Sequence, residues 1–123
     1  MSERLTVIVC GSRSEERDGL IWQWLDDYAS KVSIDILIQG GADGADKIAK
    51  DWADYRIVPY MNVPADWDKL GRPAGPIRNK IMAGFAKRLG LPVVCVAFPG
   101  GPGTESMVRV ATESQFNVIR ANL

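Results

Sequence analysis

Short runs of apolar, mostly β-branched residues alternate along the chain with segments whose apolar residues recur every three or four positions. The runs at 5–10, 34–38 and 92–98 predict buried strands, 56–63 contains another, and 117–120 predicts a short last strand. Apolar strands that alternate with helices form parallel sheets covered on both faces. We therefore expect an α/β fold with a single Rossmann-like domain over 1–123. It would be a three-layer α/β/α sandwich with the strand order 3-2-1-4-5.

The helical segments carry start and stop signals. Ser12 followed by Glu15 matches a capping box and predicts that the first helix begins there. The spacing of Ile77, Ile81, Phe85 and Leu89 marks the third helix, which Gly90 ends, and 64–76 before it is expected to be a loop. The residues predicted to line the other helices are Leu20, Trp24 and Tyr28 beside Ile21, Leu25 and Val32 in the first, Ala45, Ile48, Ala49, Trp52 and Ala53 in the second, and Met107, Val108 and Ala111 in the fourth.

The charge balance narrows the classes of partner. Fifteen basic and fifteen acidic residues give a formal net charge of zero, which argues against a general nucleic-acid or acidic-membrane binder. No apolar stretch is long enough to span a bilayer. The segment Met1-Ser2-Glu3-Arg4 lacks the pattern of a secretory signal, so we expect a cytoplasmic protein.

The chain contains no histidine, which removes imidazole bases, Ser-His-Asp triads and His-ligated metal sites. The two cysteines, Cys10 and Cys95, cannot form a zinc site by themselves. Both lie in apolar runs and are expected to be reduced core residues, with a disulfide or a nucleophile as the alternatives. No metal and no cofactor are expected, so chemistry falls to carboxylates, arginine, lysine, hydroxyls and backbone amides.

Three glycine-bearing loops each follow a strand and precede a helix, so all three should open on the carboxyl edge of the sheet. The loop Gly11-Ser12-Arg13 offers amides and a guanidinium to a phosphate, although a capped helix with a solvated arginine explains it equally well. The loop 40–46 lets a ligand approach the main chain closely. Its carboxylates, Asp43 and Asp46, either offset the helix dipole or accept hydrogen bonds from ribose hydroxyls.

The third loop, Pro99 to Thr104, exposes successive N–H groups ahead of a helix. It matches neither the Walker sequence nor the G-x-G-x-x-G spacing, so NAD is not favoured. Between the second and third loops, Trp67 could stack on a base or cover the core. Arg78 stands in the first turn of a helix, where the dipole disfavours a cation, and this indicates an anionic partner. Asn79 adds a hydrogen-bonding amide.

These motifs together resemble the YspA-like core-domain family of the SLOG superfamily, found in bacteria and their phages. The resemblance is carried by Gly11-Ser12-Arg13, the loop 40–46, Ala65-Asp66-Trp67, Gly75-Pro76-Ile77-Arg78-Asn79 and Phe98 to Thr104. It covers nearly the whole chain, in order. It implies the same sheet and a nucleotide-related ligand.

The chain also resembles the related LOG-type phosphoribohydrolases, which cleave the N-glycosidic bond of nucleoside monophosphates and are usually homodimers. Their signature is an arginine before a methionine on one helix, then P-G-G-x-G-T-x-x-E. Arg78 and Met82 match the first part, but the glutamate position is Met107. The nearest acid, Glu105, precedes it by two residues, which is about 200° around a helix. The resemblance therefore implies binding more strongly than hydrolysis.

Two functions follow as hypotheses, with a purely structural or protein-binding role as a third. The first is a domain that binds or senses a nucleotide-like small molecule. The second is a nucleotide N-glycosidic hydrolase in which Arg78 and Glu105 are catalytic, or in which Asp43, Asp46 or Asp66 replaces the lost acid. A homodimer is implied by the resemblance, and Trp22 is a surplus hydrophobe that an interface would explain. The residues expected to bind the ligand are Gly11, Ser12, Arg13, Gly40, Gly41, Ala42, Asp43, Asp46, Asp66, Arg78, Asn79, Pro99, Gly100, Gly101, Gly103 and Thr104.

Overall fold

Five parallel strands form one sheet in the computed structural model, which describes residues 3–123. Met1 and Ser2, on which the expectation about a secretory signal partly rests, lie outside the described residues. The strands are β1 (Arg4–Cys10), β2 (Ser33–Gln39), β3 (Tyr60–Asn62), β4 (Val93–Ala97) and β5 (Asn117–Arg120). Their order is β3-β2-β1-β4-β5. The Rossmann-like fold class and its strand order are thus confirmed.

Strand β1 lies at the centre of the sheet because its residues are apolar on both sides. It pairs with β2 on one edge and with β4 on the other, for example Leu5 with Ile34 and Ile8 with Cys95. Successive side chains of a strand point to opposite faces. Leu5, Val7 and Val9 therefore enter one buried cluster, and Ile8 and Cys10 enter the other.

Helices cover both faces of the sheet. The helices α1 (Asp18–Ala29) and α2 (Ala45–Tyr55) supply buried residues to the cluster around Val7. The helices α4 (Ala74–Arg88) and α5 (Pro102–Glu113) supply buried residues to the cluster around Ile8. None of the helices within residues 3–123 has the length and apolar character needed to cross a membrane.

The predicted start of the first helix is wrong. Helix α1 begins at Asp18, because the side chains expected to form the capping box close a local turn instead. The Ser12 hydroxyl accepts the Ser14 N–H at 3.0 Å, and the Glu15 carboxylate accepts the N–H of Arg17 at 3.1 Å and its guanidinium at 2.8 Å. Residues 12–17 are therefore loop. On α1 itself Ile21 and Leu25 are fully buried, as expected, whereas Leu20 is 43% exposed.

The segment 64–76 is also more ordered than predicted, because it contains the short helix α3 (Trp67–Leu70). The Asp66 carboxylate accepts the Lys69 N–H at 3.2 Å and caps this turn. Of the residues that marked the third helix, Ile77, Ile81 and Phe85 lie on α4, and Leu89 is its C-cap. However, Ile77, Ile81, Phe85 and Leu89 are between 38% and 46% exposed. The side that faces the sheet carries Asn79, Met82, Ala83 and Ala86, whose small alanines let α4 approach the strands closely.

Candidate ligand-binding site

A cavity of about 350 Å³ opens at the carboxyl ends of β1 and β4, where the winding of the sheet reverses. This is the position at which open α/β sheets bind ligands, and the volume is in the range of small-molecule sites. All three glycine-bearing loops and α4 contribute to its wall. The predicted residues that line it are Gly11, Ser12, Arg13, Ala42, Asp46, Arg78, Asn79, Gly101, Gly103 and Thr104.

The loop after β1 holds the three loops together. The Ser12 N–H donates to the Pro99 carbonyl oxygen at 3.0 Å, and the Ser12 carbonyl oxygen accepts the Ala45 N–H, also at 3.0 Å. Gly11 has no room for a side chain, since a Cβ there would lie 2.6 Å from the Cβ of Ala45. The convergence of the loops is therefore fixed by backbone contacts. The Ser12 N–H is therefore not free to bind a ligand, because it already donates to Pro99.

The start of α5 presents unpaired polar groups to the cavity. The amides of Gly103 and Thr104 lie in the first turn of α5, and neither makes a backbone hydrogen bond with the residues the structure describes. The Thr104 hydroxyl is buried and also lacks a partner among those residues. Buried polar atoms of native proteins are nearly always hydrogen-bonded. An anionic ligand at this helix start would supply an acceptor to the two amides.

Arg78 reaches across the cavity from α4 to the loop after β2. Its Nη1 donates to the Gly40 carbonyl oxygen at 2.7 Å, and its Nε donates to the Asn79 Oδ1 at 2.9 Å. Its Nη2 makes no hydrogen bond with any described residue. A Cβ on Gly40 would overlap the guanidinium, so a larger residue there would displace Arg78 from this position. Arg78 is thus positioned by two acceptors and keeps one donor group for a ligand.

Asp46 lies on the same side of the cavity as the Arg78 guanidinium, at the start of α2, and both side chains contact the Gly40 backbone. The Asp46 Oδ2 accepts the N–H groups of Gly40 at 3.2 Å and Ala42 at 3.3 Å. Its Oδ1 has no hydrogen-bond partner within the described part of the chain. Burial raises the pKa of Asp46 to about 6, although the two amides and the Arg78 charge oppose the shift. The carboxyl therefore titrates close to neutral pH.

The cavity carries more positive than negative charge, because two guanidinium groups line it together with the Asp46 carboxyl. Burial lowers the pKa of Arg78, and the nearby Asp46 charge partly restores it. An arginine remains charged in proteins even so. Arg13 also lines the cavity. The site thus carries two positive charges against one carboxylate, and the excess increases when Asp46 is protonated.

This electrostatic arrangement predicts pH-dependent anion binding. Protonation of Asp46 removes a negative charge from the cavity wall, so sulfate should bind more tightly as the pH falls from 8 to 5, with the steepest change near pH 6. The gain is about tenfold for each unit by which the bound anion raises the pKa of Asp46. Sulfate stays fully ionised across this range, and the chain has no histidine that would titrate there.

Isothermal titration calorimetry with sulfate at several pH values measures this dependence. The Asp46→Asn variant is the matched control, because an amide oxygen can still accept the two backbone N–H groups. It should bind with the affinity of the low-pH protein at every pH. A wild-type affinity that is constant from pH 5 to 8 would contradict the assignment.

Several predicted residues lie behind the cavity wall or away from it. Gly40 and Pro99 supply carbonyl oxygens that hold Arg78 and Ser12. Gly100 packs so closely on Thr104 and Ser12 that a Cβ would overlap the threonine hydroxyl. Gly41 and Asp43 are exposed in the turn before α2, and Asp66 caps α3.

Glu105, the predicted catalytic acid, does not line the cavity. It is exposed and forms a bidentate ion pair with Arg120, with both N···O distances at 2.9 Å. The hydrogen bonds from Arg120 lower the pKa of Glu105 below its usual range. Its carboxylate is therefore ionised and engaged outside the site.

The cavity floor consists of apolar residues that were not among the predicted ligand-binding residues, although Met82 matched the LOG-type signature. They include Val9, Cys10, Met82 and Met107, with Ser14 and Pro102 nearer the mouth. Met107 is 1% exposed. The position that carries the glutamate in LOG-type enzymes is thus part of this floor. The helical spacing of Met107 had indicated burial, but only the packed structure shows that the buried face is also the base of the site.

The two cysteines behave as core residues. Both are free and buried, with their Sγ atoms 4.0 Å apart. The hydrogen bond with Cys95, followed by burial, raises the pKa of Cys10 far above its ordinary value. The Cys10 thiol at the cavity floor is therefore protonated and a poor nucleophile.

Comparisons with known proteins agree with the fold. A family model described as YspA, cpYpsA-related SLOG family matches residues 5–70, just over half of the chain. The Gene 61 protein of Mycobacterium phage D29 is 34% identical over 123 aligned positions, which cover 92% of this chain and 93% of that protein. The X-ray structure of DNA processing protein A (DprA) from Streptococcus pneumoniae is similar with a TM-score of 0.52. That match has 17% identity and covers 93% of this chain but 58% of the DprA chain, so it supports the fold alone.

Proposed function

Because the chain belongs to the YspA, cpYpsA-related SLOG family, whose domains generally bind nucleotide-derived ligands, we propose that it binds a nucleotide or a similar phosphate-bearing small molecule. The ligand would occupy the cavity between β1 and β4, and the protein would act as a binding or sensing domain. One observation carries the proposal. A single cavity is lined by Gly103 and Thr104, whose amides are unpaired among the described residues, and by Arg78, whose Nη2 is free among them.

The phosphate would be held between α5 and α4. The amides of Gly103 and Thr104 donate to it from the helix start, where the dipole also favours an anion. The Arg78 Nη2 adds a further donor. Arg13, at the mouth, supplies a second guanidinium.

The sugar would contact Asp46. Its free Oδ1 is a hydrogen-bond acceptor on the cavity wall, and ribose hydroxyls are donors of matching chemistry. A phosphate beside this carboxylate would be repelled above pH 6. The negative charge of Asp46 therefore orients the ligand, with its phosphate toward the start of α5 and its sugar toward α2.

Hydrolysis of the N-glycosidic bond is the second candidate, favoured by one observation. Asp46 has a pKa of about 6, so its carboxyl could pass a proton to the departing base as the N-glycosidic bond breaks, and the resulting carboxylate could take up the proton that water loses on bonding to the anomeric carbon. The positions of two residues favour binding without hydrolysis. The glutamate position of LOG-type enzymes is the buried Met107, and Glu105 is paired with Arg120 outside the cavity.

The two functions are separated by titrating the protein with AMP, ADP-ribose, cyclic AMP and ribose 5-phosphate in a calorimeter, followed by chromatography of the mixtures. We expect saturable binding of at least one of these ligands and no release of free base. Release of adenine and ribose 5-phosphate from AMP would favour the hydrolase. The absence of measurable binding by all four at millimolar concentration would refute the binding function.

We further propose that two copies of the chain pair through the exposed side of α4. Ile77, Ile81 and Phe85 form an apolar stripe there, and such stripes mark interaction surfaces. Gly84 lies beside the stripe in the middle of the helix, and a Cβ on it would meet nothing within 4 Å. A mid-helix glycine weakens a helix by about 0.5–1 kcal/mol relative to alanine, so the isolated chain gains nothing from it. In an antiparallel two-fold pair, Ile81 of each copy can fill the space above Gly84 of the other.

Sedimentation velocity tests this pairing. The wild-type protein should sediment as a dimer at micromolar concentration, and Ile81→Lys should sediment as a monomer with an unchanged far-UV spectrum. Leu20→Lys is the matched control, because Leu20 is 43% exposed against 46% for Ile81 but lies on α1. It should remain dimeric. A monomeric wild-type protein, or a dimeric Ile81→Lys variant, would exclude this interface.

A further inference from the structure

A second cavity of about 240 Å³ lies directly beside the first. Its additional walls are Trp67 on α3, Gly75 and Pro76 at the start of α4, and Ser106 on α5. The two cavities share part of their lining, so one ligand can extend from one into the other. The shared residues are Arg13, Arg78, Asn79, Pro102 and Gly103.

Packing of the hydrophobic core does not explain the position of Trp67. The ring is 44% exposed and belongs to neither of the two buried clusters, so it does not cover the core. Nevertheless its position is fixed. Asp66 caps the turn that carries it, and the outer edge of the ring meets Gly75, where a Cβ would lie 3.0 Å from Trp67 Cη2. The glycine thus makes room for an aromatic ring at the wall of the second cavity.

The Arg13 guanidinium lies over this ring, 4.8 Å from its centroid. Arg13 also lines the first cavity, so one cation borders both. A cation–π contact at an exposed site is weak. A charge-assisted hydrogen bond between a guanidinium and a phosphate is considerably stronger. A phosphate bound at α5 should therefore draw Arg13 away from Trp67 and expose the face of the ring.

On the nucleotide-binding function proposed above, the geometry points to the second cavity as the subsite for the heterocyclic base of the same ligand. The base stacks on Trp67 in the place that Arg13 occupies in the structure. Stacking on an aromatic side chain suits any base, because every base has a π-face. The wall offers few directional groups, since the Asn79 Nδ2 and the Ser106 hydroxyl already bind one another at 3.2 Å. The subsite therefore selects for a planar ring attached to a phosphorylated sugar and discriminates little between bases.

The test compares AMP with ribose 5-phosphate, which lacks the base, by calorimetry on the full chain. The wild-type protein should bind AMP at least about tenfold more tightly than ribose 5-phosphate. Trp67→Ala should lose that advantage while its affinity for ribose 5-phosphate stays the same. Trp67→Phe, which keeps an aromatic ring, should retain most of it. Leu70→Ala, a change of an exposed residue on the same short helix, should bind both ligands as the wild type does.

The results of this experiment distinguish failure of the base subsite from failure of the proposed nucleotide-binding function. Equal affinity of the wild type for the two ligands, or undiminished AMP binding by Trp67→Ala, would overturn the base subsite and leave phosphate binding intact. Binding of neither ligand would overturn both. Quenching of tryptophan fluorescence by AMP, present in the wild type and lost in Trp67→Phe, is an independent readout that needs no truncation of the ring.

Discussion

Replacing Arg78 with alanine is expected to weaken the binding of AMP and of ribose 5-phosphate about 100-fold. A hydrogen bond to a charged group contributes roughly 1.5–3 kcal/mol, and about 2.7 kcal/mol corresponds to a factor of 100 in affinity. The alanine removes the donor Nη2 and one of the two cations on the cavity wall. It also leaves Asp46 without its nearest counter-charge, so the remaining field is less favourable to an anion.

Arg78→Lys should give an intermediate affinity, because an ammonium keeps the charge but cannot make the forked contacts of a guanidinium. Arg72→Ala is the matched control. Arg72 is exposed just before α4, and it lines neither cavity. Its loss should leave both affinities unchanged. Thermal unfolding of each variant separates binding from folding, since the Arg78 Nη1 also holds the Gly40 carbonyl. Full affinity in a folded Arg78→Ala protein would remove the phosphate site from this cavity.

Replacing Gly44 with alanine is expected to lower the free energy of unfolding by about 3–5 kcal/mol. Gly44 has φ 74° and ψ −130°, a conformation that costs other residues roughly 1–3 kcal/mol. A Cβ there would also overlap the Ser12 carbonyl oxygen and press on the Arg13 backbone. Overpacking against groups that cannot move adds about 1–3 kcal/mol. The Ser12 carbonyl cannot retreat without breaking its hydrogen bond to Ala45.

Urea denaturation measures this loss, with Gly19→Ala as the control. Gly19 lies in the first turn of α1, and a Cβ there would meet nothing within 4 Å. An alanine at that position should therefore be neutral or stabilise the protein by up to about 1 kcal/mol. A Gly44→Ala variant within about 1 kcal/mol of wild type would mean that the contact between the first two loops is not rigid. The geometry of the ligand site would then not depend on it.

The sequence predicted the sheet correctly because strand burial leaves a strong local pattern. The run that forms β1 is apolar at nearly every position, as expected for a strand covered on both faces, and its neighbours follow the same rule. Strand order then follows from the handedness of crossovers, which is nearly universal. The meeting of Gly11, Gly101 and Arg78 in one cavity was likewise foreseeable, because parallel strands end at the same edge.

Helix α4 shows where a local pattern misleads. Isoleucine, phenylalanine and leucine at a spacing of four are typical of a buried face, yet here that face is exposed. The opposite face is buried and carries small residues such as Ala83 and Ala86. Alanines contribute little to a pattern of hydrophobic spacing. A helix packs by its fit to the strands beneath it as well as by hydrophobicity. The fit between a helix and the strands beneath it cannot be predicted from the spacing of residues within the helix.

By itself the sequence determined the sheet, the three glycine loops and their common edge, since each depends on residues close together in the chain. The tertiary structure alone decided which polar groups remain available to a ligand. It engages the Ser12 amide with Pro99 and the Glu105 carboxylate with Arg120, while the Thr104 hydroxyl and the Arg78 Nη2 stay unpaired among the described residues. Hydrogen-bond partners and the burial that moves the pKa of Asp46 come from residues far apart in the chain. They exist only after the chain has packed.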